Sequence, residues 1–141
     1  HLKSNGCIGI FPGGTVSTSQ NMFGKPADPS WRRFTAKLIA KSRASVLPIF
    51  FHGSNSRFFQ IASHINYNLR MALLINEFKK RTNGKVCVSI GNILPKKEMD
   101  IFRNNPHEMM EYLRNTTYGL SQHSMGIVDY GYDYEAPKKK Y

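Results

Sequence analysis

A chain of 141 residues suits one domain and is long enough to bury about two thirds of its unfolded surface without disulfides or a structural metal. Twenty Lys and Arg against nine Asp and Glu give a formal charge of +11, which favours anionic partners: nucleic acid, a lipid surface or an acidic small molecule. No apolar run approaches the roughly 20 residues needed to span a bilayer and no signal-peptide pattern is legible, so these residues are expected not to cross a membrane, although they can lie on one.

The opening residues, His1 to Gly6, read as the last turn of a helix closed by Asn-Gly, so a portion upstream is expected. Residues 7 to 11, "CIGIF", read as a short buried strand that breaks on Pro12-Gly13-Gly14 into a loop running to about residue 27. Asp28-Pro29-Ser30 is a helix start, with Asp28 as N-cap and Pro29 at the first helical position, and Trp31, Phe34, Thr35, Leu38 and Ile39 recur at helical spacing. Arg32, Arg33, Lys37, Lys41 and Arg43 fill the rest of that helix without an acidic residue.

Val46 to Phe51 is a second, near-continuous apolar strand of the kind covered on both faces, and Pro48 places it at an edge or a bulge. His52 to Ser56 ends it. An amphipathic helix is predicted over 66–82, with Tyr67, Met71, Leu74, Ile75 and Phe78 as its core face and Gly84 just past its end. Residues 85 to 90 make a third strand. Helices follow over 96–103 and 106–121, the second opened by Pro106 and carrying Met109, Met110, Leu113 and Leu120. The tail, 123–141, is basic, rich in Tyr and Gly and without periodicity, which predicts weak packing. Alternating strands and helices indicate an α/β domain with a largely parallel or mixed sheet flanked by helices.

Cys7 and Cys87 each sit inside an apolar run, which predicts small buried hydrophobes in a reducing compartment rather than a disulfide. With no Cys-x-x-Cys pair there is no zinc or redox pattern, and no metal is expected. A Walker loop is excluded because Gly24-Lys25 is followed by Pro26 and Gly84-Lys85 by Val86. No G-x-S-x-G nucleophile elbow occurs either. What stands out is the turn itself: glycines and hydroxyls beyond a strand end offer backbone N–H groups and O–H donors to an anion or a polarised carbonyl. The alternative is a plain turn that needs glycine for its dihedrals.

Phe11-Pro12-Gly13-Gly14-Thr15-Val16-Ser17 resembles the Phe-Pro-Glu-Gly-Thr-Arg-Ser block of the lysophospholipid (glycerolipid) acyltransferases. Val46-Leu47-Pro48-Ile49-Phe50-Phe51-His52-Gly53 resembles their later valine-proline strand block, and the basic helix between the two is similar to the family's. The text around it is closest to the bacterial hemolysin-like and ornithine-lipid acyltransferase branch. The resemblance covers about residues 7 to 121.

It implies transfer of a fatty acyl group from acyl-CoA or acyl-carrier protein to a lysolipid hydroxyl, by a protein peripheral to the cytoplasmic face of a membrane. The family's catalytic pair, His-x-x-x-x-Asp, lies upstream of the Phe-Pro block: the histidine is general base and the aspartate orients its ring. Here the positions five after each histidine hold Gly6, Arg57, Leu69, Tyr112 and Val128, so no catalytic residue is expected in this chain, which reads as the C-terminal part of a larger domain. Phe11 to Ser17 and Pro48 are the substrate-binding residues implied. Gly13 stands where the family has glutamate and Val16 where it has arginine. Losing arginine removes the bidentate fork that suits phosphate oxygens, which shifts the expected acceptor from glycerol-3-phosphate or lysophosphatidate toward a lyso-ornithine-type or other lysolipid.

Lys25 is a candidate contact for a donor phosphate, or a solvated loop lysine. His52 is a candidate base, or a turn residue. The basic helix suits anionic head groups, each cation contributing about 1 kcal/mol near the surface, or is an ordinary solvated face. Arg57-Phe58-Phe59 is a candidate for membrane or acyl-chain contact. Two other readings carry weight: a non-catalytic lipid-binding domain, and a basic nucleic-acid-binding module. The second lacks a helix-turn-helix, zinc-finger or aromatic RNA-binding signature.

Overall fold

The computed structural model describes residues 1–121 and 129–134; the rest of the predicted tail lies outside them. A 3₁₀ turn, Leu2–Ser4, closes on Asn5 in the left-handed region. The elements then run β1 (Thr18–Ser19), β2 (Pro26–Ala27), α1 (Arg33–Ser42), β3 (Ile49–Phe51), α2 (Arg57–Ile65), α3 (Tyr67–Arg81), β4 (Val88–Ile90), α4 (Lys96–Ile101) and α5 (Pro106–Tyr118). Each strand pair among the described residues is antiparallel: β1 with β2, and β3 with β4 in the register Ile49 to Ile90, Phe50 to Ser89, Phe51 to Val88.

The chain divides into two compact units. Among the described residues the first comprises 1–14, 31–52 and 87–121, and the second 15–30, 53–86 and 129–134.

The first unit is held by apolar contact. Ala36 and Ile39 of α1, Leu94, Met99 of α4, and Met109, Met110 and Leu113 of α5 form its core, with Trp31, Val46, Phe102 and Tyr112 against it. Pro106 starts α5 and Asn105 caps it, its side chain accepting from the Glu108 N–H at 3.2 Å. Tyr112 donates to Glu98, and that bond, with burial, raises its hydroxyl above the ordinary tyrosine pKa. Phe50 packs edge-on against Tyr118 at 5.5 Å, seating β3 on α5.

Several expectations for this unit change. The strand expected over residues 7–11 forms no ladder among the described residues, because no neighbouring strand supplies its N–H and C=O groups with partners, and Cys7, Ile8 and Ile10 are exposed. Cys87, just before β4, is exposed too. Helix α1 begins at Arg33 and not at Pro29: the Asp28 carboxylate takes a hydrogen bond from the Ser17 hydroxyl, and Arg32 occupies the N-cap with extended backbone. Phe34, predicted for the core stripe, is exposed. Strand β3 exposes Ile49 and Phe51 while Phe50 turns inward, so one face is covered and not both.

The second unit has a polar centre. Helix α2, not foreseen from the sequence, is capped by Ser56, whose hydroxyl accepts from the Phe59 N–H at 3.3 Å. Asn66 caps α3, accepting from the N–H groups of Asn68 and Leu69 at 2.8 and 3.2 Å. The long helix falls where it is predicted, but rotated. Arg70 is 3% exposed and Glu77 7%, while Tyr67, Met71, Ile75 and Phe78 of the predicted core face are exposed. Residues 129–134 join this unit, contrary to the weak packing expected of the tail. The Gly131 N–H donates to Asp28 O at 2.9 Å and that of Tyr132 to Thr18 O at 3.1 Å. A Cβ on residue 131 would stand 1.8 Å from Ala27 O, so only glycine lets the backbones approach this closely.

Candidate functional site

The Phe-Pro block divides between the units after Gly14, and each part is built differently. In the first unit the Gly14 N–H donates to Phe11 O at 3.2 Å, closing a turn around Pro12 and a buried Gly13. Gly14 has φ +70°, and a Cβ there would meet only Arg32 side-chain atoms, Nε at 3.8 Å and Cγ at 3.9 Å. The restriction is therefore conformational and not spatial. The Pro12 carbonyl accepts from the Arg32 N–H at 2.9 Å, which ties the turn to the start of α1. The Phe11 ring is 78% exposed and lies 5.8 Å from that of Phe51. The Phe-Pro block thus meets the valine-proline strand block. Pro48 is buried, and its carbonyl accepts from the Gly91 N–H at 3.0 Å.

In the second unit Thr15, Val16 and Ser17 are partly buried. The Ser17 hydroxyl donates to Asp28 and so is engaged. Val16 O accepts from the Thr18 hydroxyl at 2.9 Å and from Arg70 Nη2 at 3.3 Å. Thr18 and Ser19, which composition leaves free for a ligand, are fully buried in β1. Gln60 Oε1 accepts from the Ser19 N–H at 3.0 Å, and His64 Nε2 donates to Ser19 O at 3.0 Å. The loop's backbone is thus held from behind by α2 and α3.

Arg70 is the hub of that arrangement. Its Nη1 donates to the Thr18 and Ser63 hydroxyls, both at 2.8 Å, and its guanidinium carbon lies 4.9 Å from the Phe59 ring centre and 4.2 Å from that of Tyr134. Burial lowers its pKa against the opposing pull of Tyr134 and Tyr67. Glu77 accepts from the Ser56 N–H at 3.0 Å and from its hydroxyl. Burial pushes this carboxyl up, but the two Ser56 bonds, with Lys80 and Arg81, outweigh it and leave it below its ordinary value. Periodicity passed over Arg70, Glu77 and Gln60, and Asp28 is read from the sequence as an N-cap and not as the partner of Ser17. The available signal was two ionisable residues seven apart, Arg70 and Glu77, which share one face of a helix.

The remaining candidates separate. Lys25 is exposed on the loop before β2. His52 Nε2 lies 2.8 Å from the Ser89 hydroxyl across the β3–β4 pair, a structural partner and not an acid. His107 and Glu111 stand 3.9 Å apart on the surface of α5, where solvent leaves no shielded base. Among the described residues no three His, Cys, Asp or Glu side chains group as metal ligands, and no helix is long and apolar enough to cross a membrane.

Two curated proteins share sequence with the chain. It is 30% identical over 118 residues to a lyso-glycine lipid O-acyltransferase of Bacteroides thetaiotaomicron, covering 79% of this chain and 42% of that protein. It is 28% identical over 126 residues to a lyso-glycine lipid O-acyltransferase of Phocaeicola vulgatus, covering 84% and 44%. The chain therefore spans less than half the length of these relatives, and the relationship is to lysolipid acyltransferases. No family model and no solved structure matches it.

Proposed function

We propose that the chain is the C-terminal part of a lysolipid O-acyltransferase acting at the cytoplasmic face of a membrane. The observation that carries this is the pair of family-like blocks, Phe11 to Ser17 and Val46 to Gly53, in a chain that is 28–30% identical over most of its length to two lyso-glycine lipid O-acyltransferases. The acceptor hydroxyl attacks the thioester carbonyl of acyl-CoA or acyl-carrier protein; the C–S bond breaks, the new ester forms, and the base that takes the hydroxyl proton passes it to the leaving thiolate. The base is a His-Asp pair supplied by another part of the full-length protein, since the histidines described above serve structural bonds or lie in solvent. The largely parallel or mixed sheet is completed in the same way. Ile49, Phe51, Val88 and Ile90, exposed on the β3–β4 pair, support further cover there.

The residues from Thr15 to Ser17 contact the substrate mainly through backbone, because the Ser17 hydroxyl is committed to Asp28. With Val16 in place of arginine, the acceptor is a lysolipid headed by an amino acid rather than by phosphate.

The test is acyl transfer by the full-length protein from labelled acyl-carrier protein and acyl-CoA to lyso-glycine lipid, lyso-ornithine lipid and lysophosphatidate. Turnover of an amino-acid-headed acceptor without turnover of lysophosphatidate is the result expected. Preference for lysophosphatidate overturns the reading of Val16. No transfer to any acceptor by folded full-length protein leaves the non-catalytic lipid-binding domain as the account.

A further inference from the structure

Helix α2 lacks a polar outer face. Its inner side buries Phe59, Gln60, Ala62 and Ser63, yet Phe58 and Ile65 project outward exposed and Ile61 is only partly covered. A helix that presents Phe58 and Ile65 outward needs an apolar neighbour or a lipid phase on that side. At its first turn Arg57 Nη1 donates to Phe23 O and to Gly24 O, each at 3.1 Å, which fastens the loop before β2 to the start of the helix. That loop exposes Met22, Phe23 and Lys25. The rings of Phe23 and Phe58 are each 78% exposed, as bare as any large apolar side chain described. An arginine that spends two hydrogen bonds on holding an exposed phenylalanine loop in place is hard to account for by folding alone.

Charge narrows the occupant to an anionic one. The sequence has no Asp or Glu from Thr15 to Ala27, nor anywhere between Asp28 and Glu77, so the patch carries Lys25 and Arg57 with no carboxylate on its own loop or helix. Exposed rings set among cations match the boundary of an anionic bilayer, where apolar side chains enter between acyl chains and Lys and Arg meet lipid phosphates. We infer that Met22, Phe23, Lys25, Arg57, Phe58 and Ile65 form a docking surface for an anionic lipid membrane. Both rings insert at the head-group boundary. This deepens the lysolipid reading and rests on it only for the choice of lipid as occupant.

Co-sedimentation of the full-length protein with vesicles tests it, using phosphatidylcholine alone and phosphatidylcholine mixed with phosphatidylglycerol. Binding to the mixed vesicles is expected to exceed binding to the neutral ones, and the double variant Phe23→Ser/Phe58→Ser to lose about tenfold or more of it at unchanged thermal stability, since neither ring is buried. Equal binding by wild type and double variant overturns the inference, as does no binding by the wild type. If the double variant unfolds, Phe58→Trp decides. Emission that shifts to the blue only when anionic vesicles are added supports insertion, whereas emission already blue and shielded without vesicles shows that protein covers the ring and overturns it. Vesicle binding and acyl transfer are read separately, so failure here with transfer intact leaves the enzyme reading standing, and the reverse leaves the docking surface standing.

Discussion

The two units solve the burial problem in opposite ways. The first gathers Ile39, Leu94, Met99, Met109, Met110 and Leu113, side chains that need only shape and exclusion of water. The second places Thr18, Ser19, Gln60, Ser63, Arg70 and Glu77 at its centre and leaves Met71, Ile75 and Phe78 outside. An apolar core tolerates imprecise geometry, whereas a polar one must satisfy each donor and acceptor to be stable at all. The second unit comes close: Arg70 engages two hydroxyls, a carbonyl and two rings, and Glu77 engages Ser56 twice. Gln60 Nε2 is the exception, buried without a hydrogen-bond partner among the described residues. The segment from Thr15 to Ser17 therefore rests on a network that one substitution can unravel.

The largest effect expected is that of Arg70→Ala. It leaves the Thr18 and Ser63 hydroxyls and Val16 O short of a donor and opens a void between two rings, which costs about 3–5 kcal/mol in denaturant unfolding. Arg70→Lys restores charge but not the fork, and is expected to recover less than half of the loss. If Arg70→Lys matches the wild type, the hub is a point charge and the contrast between the units weakens.

In the apolar unit, Met110→Ala is expected to cost about 2–5 kcal/mol through lost contact and a residual cavity, and Met110→Leu much less. A large loss in both would show that this core also depends on exact fit.

Glu77→Gln comes next, at about 1.5–3 kcal/mol near neutral pH, because a charged acceptor of the Ser56 bonds becomes a neutral one. Since the folded carboxyl sits below its ordinary pKa, its contribution is fully present above the unfolded value and fades as pH falls through the folded one. Unfolding curves of the wild type and of Glu77→Gln should converge in acid. Curves that stay parallel would mean that the carboxylate charge adds nothing.

The smallest effect is at the turn. Gly14→Ala is expected to cost about 1–2 kcal/mol from the positive φ alone, with no steric penalty, because the space beside it is open to contact distance. A nearly neutral result, measured by the same unfolding, would show that the turn relaxes and that its geometry is not fixed by Pro12 and Arg32.

How much could be read in advance follows the same division. Helices α1, α4 and α5, with Pro106 and the methionines of α5, were legible because apolar periodicity and a starting proline act locally. The extent of α3 was legible for the same reason, but its orientation was not. Periodicity assigns the apolar stripe to the interior, whereas Arg70 and Glu77 found partners on α2 and β1 that lie far away in sequence. Helix α2 escaped notice because Phe58 and Ile65 on one side and Phe59 and Ala62 on the other show no single stripe.

By itself the sequence determined that this chain is rich in cations and carries two family-like blocks joined by a basic helix, because residue order and charge are local properties. Only the tertiary structure decided that the Thr18 and Ser19 hydroxyls are interior, that Ser17 answers to Asp28, and that Phe23 and Phe58 face outward. Those outcomes depend on which hydrogen-bond partners distant segments bring, and a buried polar group must take the partner that folding supplies.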